Sequence, residues 1–134
     1  MKTKRQIFHK DELQSIDAFL ENYEKQLYCF LRLYFECELI VRRIIKSNLK
    51  DVSQNDISEL NLSEIRKALG TVGIAFEQKK LNMVFAKYKS ANEHSYRHLR
   101  NMIVHKLQKK AIYEVVRRSE TMTSDMVSFV ELFK

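Results

Sequence analysis

Residues 11–46 read DELQSIDAFLENYEKQLYCFLRLYFECELIVRRIIK, and this stretch decides the fold. Apolar residues recur in it at alternating steps of three and four: Leu13, Ile16, Leu20, Tyr23, Leu27, Phe30, Tyr34, Cys37, Val41 and Ile44. This spacing is that of one face of a helix. It predicts a single long helix of about 37 residues, roughly 55 Å in length.

The ends of this helix are marked by polar residues. Asp11 with Gln14 predicts a capping box at its start, and the polar stretch 47–56 predicts its end. From Leu27 onward the apolar stripe broadens, so we expect the second half to meet neighbours on several sides and the first half on one. The first half therefore projects or dimerises, unless the helix is the spine of a monomeric bundle.

Shorter helices are predicted downstream. Asn61 and Glu64 form the capping pair of a second helix that ends near Gly70 or Gly73. Its apolar stripe is Leu62, Ile65, Leu69 and Val72. A third helix carries Leu81, Val84, Phe85 and Tyr88.

The C-terminal part is predicted to contain two further helices. Ser90 with Glu93 resembles a capping box and begins a fourth helix, separate from the third or continuous with it. Residues 108–118 are ambiguous, and no strand pattern appears in the chain. A last helix follows the cap-rich run 119–124 and carries Met122, Met126, Phe129, Val130 and Phe133.

Length and composition favour one helical domain. The chain has 134 residues, no Pro and two Gly, so few turns can need special backbone angles. We predict a single all-α domain over residues 1–134, a four- to five-helix up-and-down bundle with a long N-terminal helix.

The cysteines and the hydropathy predict a cytoplasmic protein. Cys29 and Cys37 lie eight residues apart in one helix, roughly 12 Å along it, too far to bridge. They are expected to be reduced thiols. No run of 18 apolar residues and no apolar signal segment occurs, so no membrane association is expected.

Positive charge is concentrated in one part of the chain. The formal net charge is +7, and residues 97–118 hold seven cations against Glu114 alone. These cations are Arg97, Arg100, Lys106, Lys109, Lys110, Arg117 and Arg118. Such a patch attracts polyanions such as nucleic acid or an acidic protein, unless it is only a solvated face.

The predicted fourth helix has two different faces. Residues 95–106 read SYRHLRNMIVHK. At 100° per residue the apolar face consists of Tyr96, Leu99, Ile103 and Leu107, and the opposite face of His94, His98, Asn101 and His105. Asn101 and His105 are only about 40° apart, so the amide can orient the imidazole, whereas Arg100 is about 140° from His105.

The segment from Arg100 to His105 reads RNMIVH and resembles the Arg-polar-x3-His signature of the HEPN superfamily of small all-α domains. This resemblance implies a four- or five-helix bundle that dimerises to bring two motifs together. It also implies a metal-independent endoribonuclease in a toxin, phage-defence, CRISPR-linked or RNA-processing setting. The branch paired with a nucleotidyltransferase antitoxin has tyrosine two residues after the histidine, where this chain has Leu107.

The resemblance assigns catalysis to Arg100, Asn101 and His105. RNA carries its own nucleophile, the 2′-hydroxyl, so a histidine and an arginine suffice without a metal or cofactor. His105 is expected to act as general base or acid, and Arg100 to stabilise charge on the phosphate. The residues expected to bind RNA are Arg97, His98, His94, Lys106, Lys109 and Lys110.

Two other side-chain groups have competing interpretations. His94 and His98 have the spacing of a metal pair on a helix, but no third ligand is evident, so surface or substrate contacts are favoured. Glu36 and Glu38 are candidates for a buried acid that pairs with Arg100 or orients His105; structural ion pairs or exposed glutamates are favoured.

The predicted function is therefore a homodimeric endoribonuclease that acts on RNA, and an antitoxin or regulatory protein is a candidate further partner. The alternative is a non-catalytic helical interaction module whose basic face binds nucleic acid or an acidic partner. A third interpretation is a small coiled-coil-like oligomerisation protein.

Overall fold

The structure, a computed structural model, describes the backbone of residues 10–48, 60–106 and 108–134, and the side chains of the first segment from Ala18 to Ser47. These residues form six helices and one hairpin: α1 (Lys10–Asn48), α2 (Leu62–Thr71), α3 (Gln78–Phe85), β1 (Lys89–Ser90), β2 (Glu93–His94), α4 (Tyr96–Lys106), α5 (Lys109–Arg117) and α6 (Ser119–Glu131). The predicted all-α fold with a long N-terminal helix is confirmed.

The long helix α1 is the element on which the others pack. It contacts α2, α4, α5 and α6. Its buried residues are Phe30, Tyr34, Cys37, Val41 and Ile45. The last buried residue is Ile45, whereas the predicted stripe ended on Ile44. A straight helix has 3.6 residues per turn, so its buried face shifts gradually relative to a strict seven-residue repeat. The predicted capping box at Asp11 and Gln14 lies outside the described side chains.

Aromatic rings from three elements meet at the centre of the core. Phe85 of α3 lies 6.2 Å from Tyr34 of α1 and 5.6 Å from Phe129 of α6, measured between ring centroids. The thiol of Cys37 lies 3.7 Å from the carbonyl oxygen of Met126. The second half of α1 therefore meets neighbours on several sides, as predicted.

The N-terminal half of α1 has fewer neighbours. Phe19 and Tyr23 form edge-to-face contacts with Tyr113 of α5, with centroids 5.5 and 5.7 Å apart. Tyr28 is exposed, and so is Leu20, which was wrongly predicted to lie on the packed stripe. Contact on one side is what the narrower apolar stripe predicted.

Helix α2 begins where it was predicted, but only one residue of its predicted capping pair forms a capping hydrogen bond. Asn61 accepts a hydrogen bond from the backbone N–H of Ser63 at 2.9 Å. Glu64 does not reciprocate, and its Oε2 is buried with no hydrogen-bond partner among the described residues. Val72, predicted on the buried stripe, is exposed at the helix end, where Gly73 adopts a φ of +72°.

The predicted fourth helix start is wrong. Ser90 and Glu93 do not form a capping box; they pair across an antiparallel hairpin. Ala91 and Asn92 both have positive φ, 51° and 67°, as a two-residue hairpin turn requires. Two residues flanking such a turn have the same i, i+3 spacing as a capping box, so the spacing alone could not separate them. The third and fourth helices are not continuous.

The hairpin is held to the bundle by Arg118, between α5 and α6. Its side chain donates a 2.9 Å hydrogen bond to the carbonyl oxygen of His94 and lies 3.4 Å from the Glu93 carboxylate. Its guanidinium also lies 5.4 Å from the centroid of the Tyr96 ring. Only 8% of Arg118 is exposed, so this cation stabilises the fold and is not a surface charge.

Two other boundaries differ from the sequence prediction, and one segment that the sequence left ambiguous is a helix. Helix α3 ends at Phe85, so Tyr88 is not on its buried face and is 60% exposed. The ambiguous segment 108–118 forms α5, with Ala111, Ile112 and Val115 buried. The cap-rich run 119–124 lies inside α6, whose buried residues are Met122, Met126, Phe129 and Val130. Among the described residues, no helix combines the length and apolarity needed to cross a membrane.

The two free cysteines should differ in reactivity. Cys29 is exposed and Cys37 is fully buried, and burial followed by the charge of Glu36 raises the pKa of the Cys37 thiol to about 12. Because the thiolate is the reactive form, we expect one thiol per chain to react quickly with an aromatic disulfide reagent at pH 8. The second should react only after denaturation in guanidinium chloride. Rapid reaction of both thiols in the native protein would contradict the packing of Cys37 against α6.

Candidate functional site

Helix α4 presents the motif residues because its other face is anchored in the core. Tyr96, Leu99 and Ile103 are buried, as the helical periodicity predicted. Leu107, the fourth predicted member of this face, lies outside the described residues. His105 is exposed, and Asn101 and His98 are half-buried.

His105 and Asn101 line one concave surface, which we call the motif groove. It has a volume of about 270 Å³. Its lining consists of Lys87, Tyr88, Arg97, His98, Asn101, Met102, His105 and Lys106. The groove thus combines the candidate general base with cations and an exposed aromatic ring.

Arg100 lies on the other side of α4. It lines a second concave surface of about 460 Å³, the arginine groove. This groove is formed by Tyr28, Leu31, Arg32, Tyr34, Phe35, Glu38, Arg100 and Val104. The predicted divergence of Arg100 from His105 around the helix is therefore seen in the fold.

A hydrogen bond links the two grooves. Arg100 Nη1 donates to Asn101 Oδ1 at 2.8 Å, and the Arg100 guanidinium carbon lies 5.9 Å from the Tyr34 ring centroid. Asn101 was predicted to orient His105. Among the described residues no hydrogen bond joins these two side chains, so the structure does not show this role. Asn101 instead fixes the guanidinium.

His94 and His98 lie side by side, although His94 is on β2 and not on α4. Their ring centroids are 5.0 Å apart, and His94 Nδ1 is buried with no hydrogen-bond partner in the described part of the chain. Burial, then the charges of His94, Lys106 and Lys89, lowers the pKa of His98. This shift favours the uncharged form of His98. Within the described ranges, no three His, Cys, Asp or Glu side chains gather as a metal-binding group.

Several cations of residues 97–118 contact other groups of the protein. Arg97 Nη1 donates to the carbonyl oxygens of Leu60 at 2.5 Å and of Phe85 at 3.4 Å. Arg117 pairs with Glu114 and lies 4.0 Å from Glu93. Together with Arg118, these arginines make the accessible charge of 97–118 smaller than its sequence implies.

Lys109 and Lys110 do not line the motif groove. Both are exposed on α5, and Lys109 Nζ lies 5.2 Å from the centroid of Phe19 on α1. Of the cations predicted to bind RNA, Lys106 is the one that is both exposed and in the groove.

The loop after α3 contributes residues that the sequence prediction missed. Lys87 and Tyr88 line the motif groove, and Lys89 follows at the start of β1. The signal was present in the sequence as Lys-Tyr-Lys, an aromatic residue between two basic ones, which is a common pattern at nucleic-acid surfaces. The sequence prediction missed Tyr88 because its spacing from Leu81, Val84 and Phe85 placed it on the third helix.

Glu36 and Glu38 form ion pairs within α1. Arg32 lies 3.4 Å from Glu36, and Arg42 lies 2.9 Å from Glu38. The favoured interpretation of these carboxylates as structural ion pairs is confirmed. Glu38 also lines the arginine groove, but its carboxylate is bound to Arg42.

Comparison of the chain with protein-family models, with curated proteins and with solved structures finds no match. The HEPN resemblance therefore remains a prediction from the motif between Arg100 and His105.

Arg97 should matter for stability. We expect Arg97→Ala to lower the free energy of unfolding by roughly 1.5–3 kcal/mol, because it removes charge-assisted hydrogen bonds to two main-chain carbonyls. The matched control is Arg43→Ala on the exposed side of α1. This variant should change the free energy of unfolding by less than about 0.5 kcal/mol. Urea unfolding monitored by circular dichroism measures both. Equal stabilities of the two variants would show that Arg97 is only a surface cation.

Proposed function

We propose that this protein is a metal-independent endoribonuclease of the HEPN type, which cleaves RNA to 2′,3′-cyclic phosphate and 5′-hydroxyl ends. The observation that carries the proposal is the 2.8 Å hydrogen bond from Arg100 to Asn101 beside the exposed His105. It couples an arginine to the groove that holds the imidazole. Lys87 and Lys106 in the same groove supply charge complementary to phosphate.

The chemistry needs only groups that the chain offers. The His105 imidazole removes the proton of the 2′-hydroxyl, and the 2′-oxygen then attacks the adjacent phosphorus. Arg100 donates hydrogen bonds to the non-bridging oxygens as their charge grows. The 5′-oxygen leaves with a proton from an imidazolium or from water. DNA resists cleavage because it has no 2′-hydroxyl.

We further propose that the active enzyme is a homodimer. In one copy Arg100 and His105 line different grooves, so one helix does not place both side chains on one phosphate. A second copy related by twofold symmetry can bring two motifs to a shared cleft. An antitoxin or regulatory protein that covers this cleft in the cytoplasm would restrain the activity.

The first variant removes the candidate base. We expect His105→Ala to abolish cleavage of RNA without loss of stability, because the side chain is exposed and has no hydrogen bond among the described residues. The measurement is electrophoresis of end-labelled RNA, in which the wild-type reaction should survive EDTA. Thermal unfolding of the variant checks the fold. Cleavage by His105→Ala at the wild-type rate would contradict the assignment.

The second variant keeps the charge but changes its shape. Arg100→Lys should lower the cleavage rate by about 100- to 1,000-fold, because an ammonium cannot reproduce the planar fork of a guanidinium. Arg32→Lys is the matched control, since Arg32 lines the same groove but bonds to Glu36. Single-turnover rates at saturating protein separate this effect from binding. An active Arg100→Lys enzyme would show that Arg100 supplies only charge.

One observation favours the second candidate function, a non-catalytic module that binds nucleic acid or an acidic partner. The separation of Arg100 from His105 by the width of α4 leaves each with its own groove in a single copy. If this function is correct, wild-type protein should bind RNA in a salt-sensitive manner without cleaving it.

A further inference from the structure

We propose that Tyr88 is the base-stacking residue of the motif groove, holding one unpaired nucleobase while Lys87 and Lys106 contact the adjoining phosphates. The inference rests on the proposed function for the choice of RNA as ligand. It adds an RNA-binding residue outside the Arg-Asn-x3-His motif and predicts that the groove prefers an unpaired base.

The Tyr88 ring is placed for contact with a ligand. It is 60% exposed, yet it lines the same groove as His105 and Asn101. The His98 ring supports it edge-to-face, with centroids 5.5 Å apart and planes at 80°. A large exposed aromatic ring that adds nothing to the core is available to stack on a base.

The loop that carries this ring is hydrogen-bonded to the start of α4. Ser95 Oγ donates to the carbonyl oxygen of Ala86 at 2.6 Å, and the Ser95 N–H donates to that of Tyr88 at 3.0 Å. Ser95 is fully buried at the start of α4, where its Oγ also accepts from the His98 N–H. The backbone on both sides of Lys87 is thus tied to the helix that carries the motif. A pre-ordered platform loses little entropy when a base stacks on it.

The charges around the ring suit a phosphate backbone. Lys87 Nζ lies 5.7 Å from the Tyr88 centroid, and Lys106 is exposed in the same groove. The Glu93 carboxylate of the hairpin lies 3.4 Å from Arg118, and within the described ranges no ion pair joins Lys87 or Lys106 to a carboxylate. Cations beside an aromatic ring form the usual surface for single-stranded nucleic acid.

The size of the groove limits what it holds. Its volume of about 270 Å³ is close to the lower end of small-molecule sites, about 300–1,000 Å³, which suits one nucleotide. In duplex RNA each base is paired and already stacked between its neighbours. The groove therefore selects a strand with at least one unpaired base.

The test measures binding without cleavage. In the His105→Ala background, fluorescence anisotropy compares a labelled single-stranded RNA octamer with its duplex. Tyr88→Ala should weaken binding of the single strand by about 5- to 150-fold, the usual range for one lost stacking contact. Tyr88→Phe should bind within about twofold of the parent, because it keeps the ring. The duplex should bind more weakly than the single strand.

Two controls separate stacking from charge and from general damage. Tyr113→Ala removes a tyrosine that is 50% exposed on α5, packs on Phe19 and Tyr23 of α1 and lines neither groove, so a variant that folds should bind RNA as its parent does. Lys87→Ala should lower the slope of log Kd against log salt by about 0.7, whereas Tyr88→Ala should not change it. Far-UV circular dichroism confirms that each variant folds.

The outcomes are distinct from those for catalysis. The inference is overturned if Tyr88→Ala binds as tightly as its parent, if Tyr88→Phe loses as much affinity as Tyr88→Ala, or if the parent binds no single strand. If the wild type cleaves RNA through His105 while Tyr88→Ala is neutral, the proposed function stands and this inference fails. If Tyr88-dependent binding occurs without any cleavage, the inference stands and the endoribonuclease proposal fails.

Discussion

Burial of one face of α1 is the constraint on which the described structure depends. Phe30, Tyr34, Cys37, Val41 and Ile45 are withdrawn from water only because helices from the rest of the chain cover them. The other described helices have 8 to 13 residues, and isolated helices below about 12–15 residues are marginal in water. The other helices therefore pack on the long helix, and its second half forms one side of the core.

The position of the candidate site follows from this packing. The buried face of α4 fixes the rotation of that helix, so Asn101 and His105 must lie on one side and Arg100 on the other. Ser95 then fixes the preceding loop against the helix start through two main-chain carbonyls. The motif groove is thus made by α4 and by the loop between α3 and the hairpin, and hydrogen bonds from Ser95 and Arg97 join these two segments.

Arginine has two distinct uses in this protein. Arg97 and Arg118 donate hydrogen bonds to carbonyl oxygens of neighbouring segments. A guanidinium is planar and has several donors, so it can join segments whose backbones do not hydrogen-bond to each other. Arg100 bonds to a side chain beside a groove and stays half-buried. Net charge in the sequence therefore overstates the charge offered to a polyanion, and the exposed lysines carry most of it.

The sequence by itself determined the helices whose periodicity is long or whose buried face is regular, which are α1, α2 and the apolar faces of α3, α4 and α6. It also determined that Arg100 diverges from His105, because that angle depends only on helical geometry. The hairpin at 89–94 was decided by tertiary structure: Arg118, 24 residues beyond His94, binds its carbonyl oxygen, and no local pattern encodes that contact. Tertiary structure also decided that Tyr88 lines the groove. The helix ends at Phe85 and Ser95 binds the main chain of Tyr88, so the Tyr88 ring does not lie on the buried face that the helical period predicted. Local periodicity reports the face of a helix, whereas the point at which a helix stops depends on hydrogen bonds from distant residues.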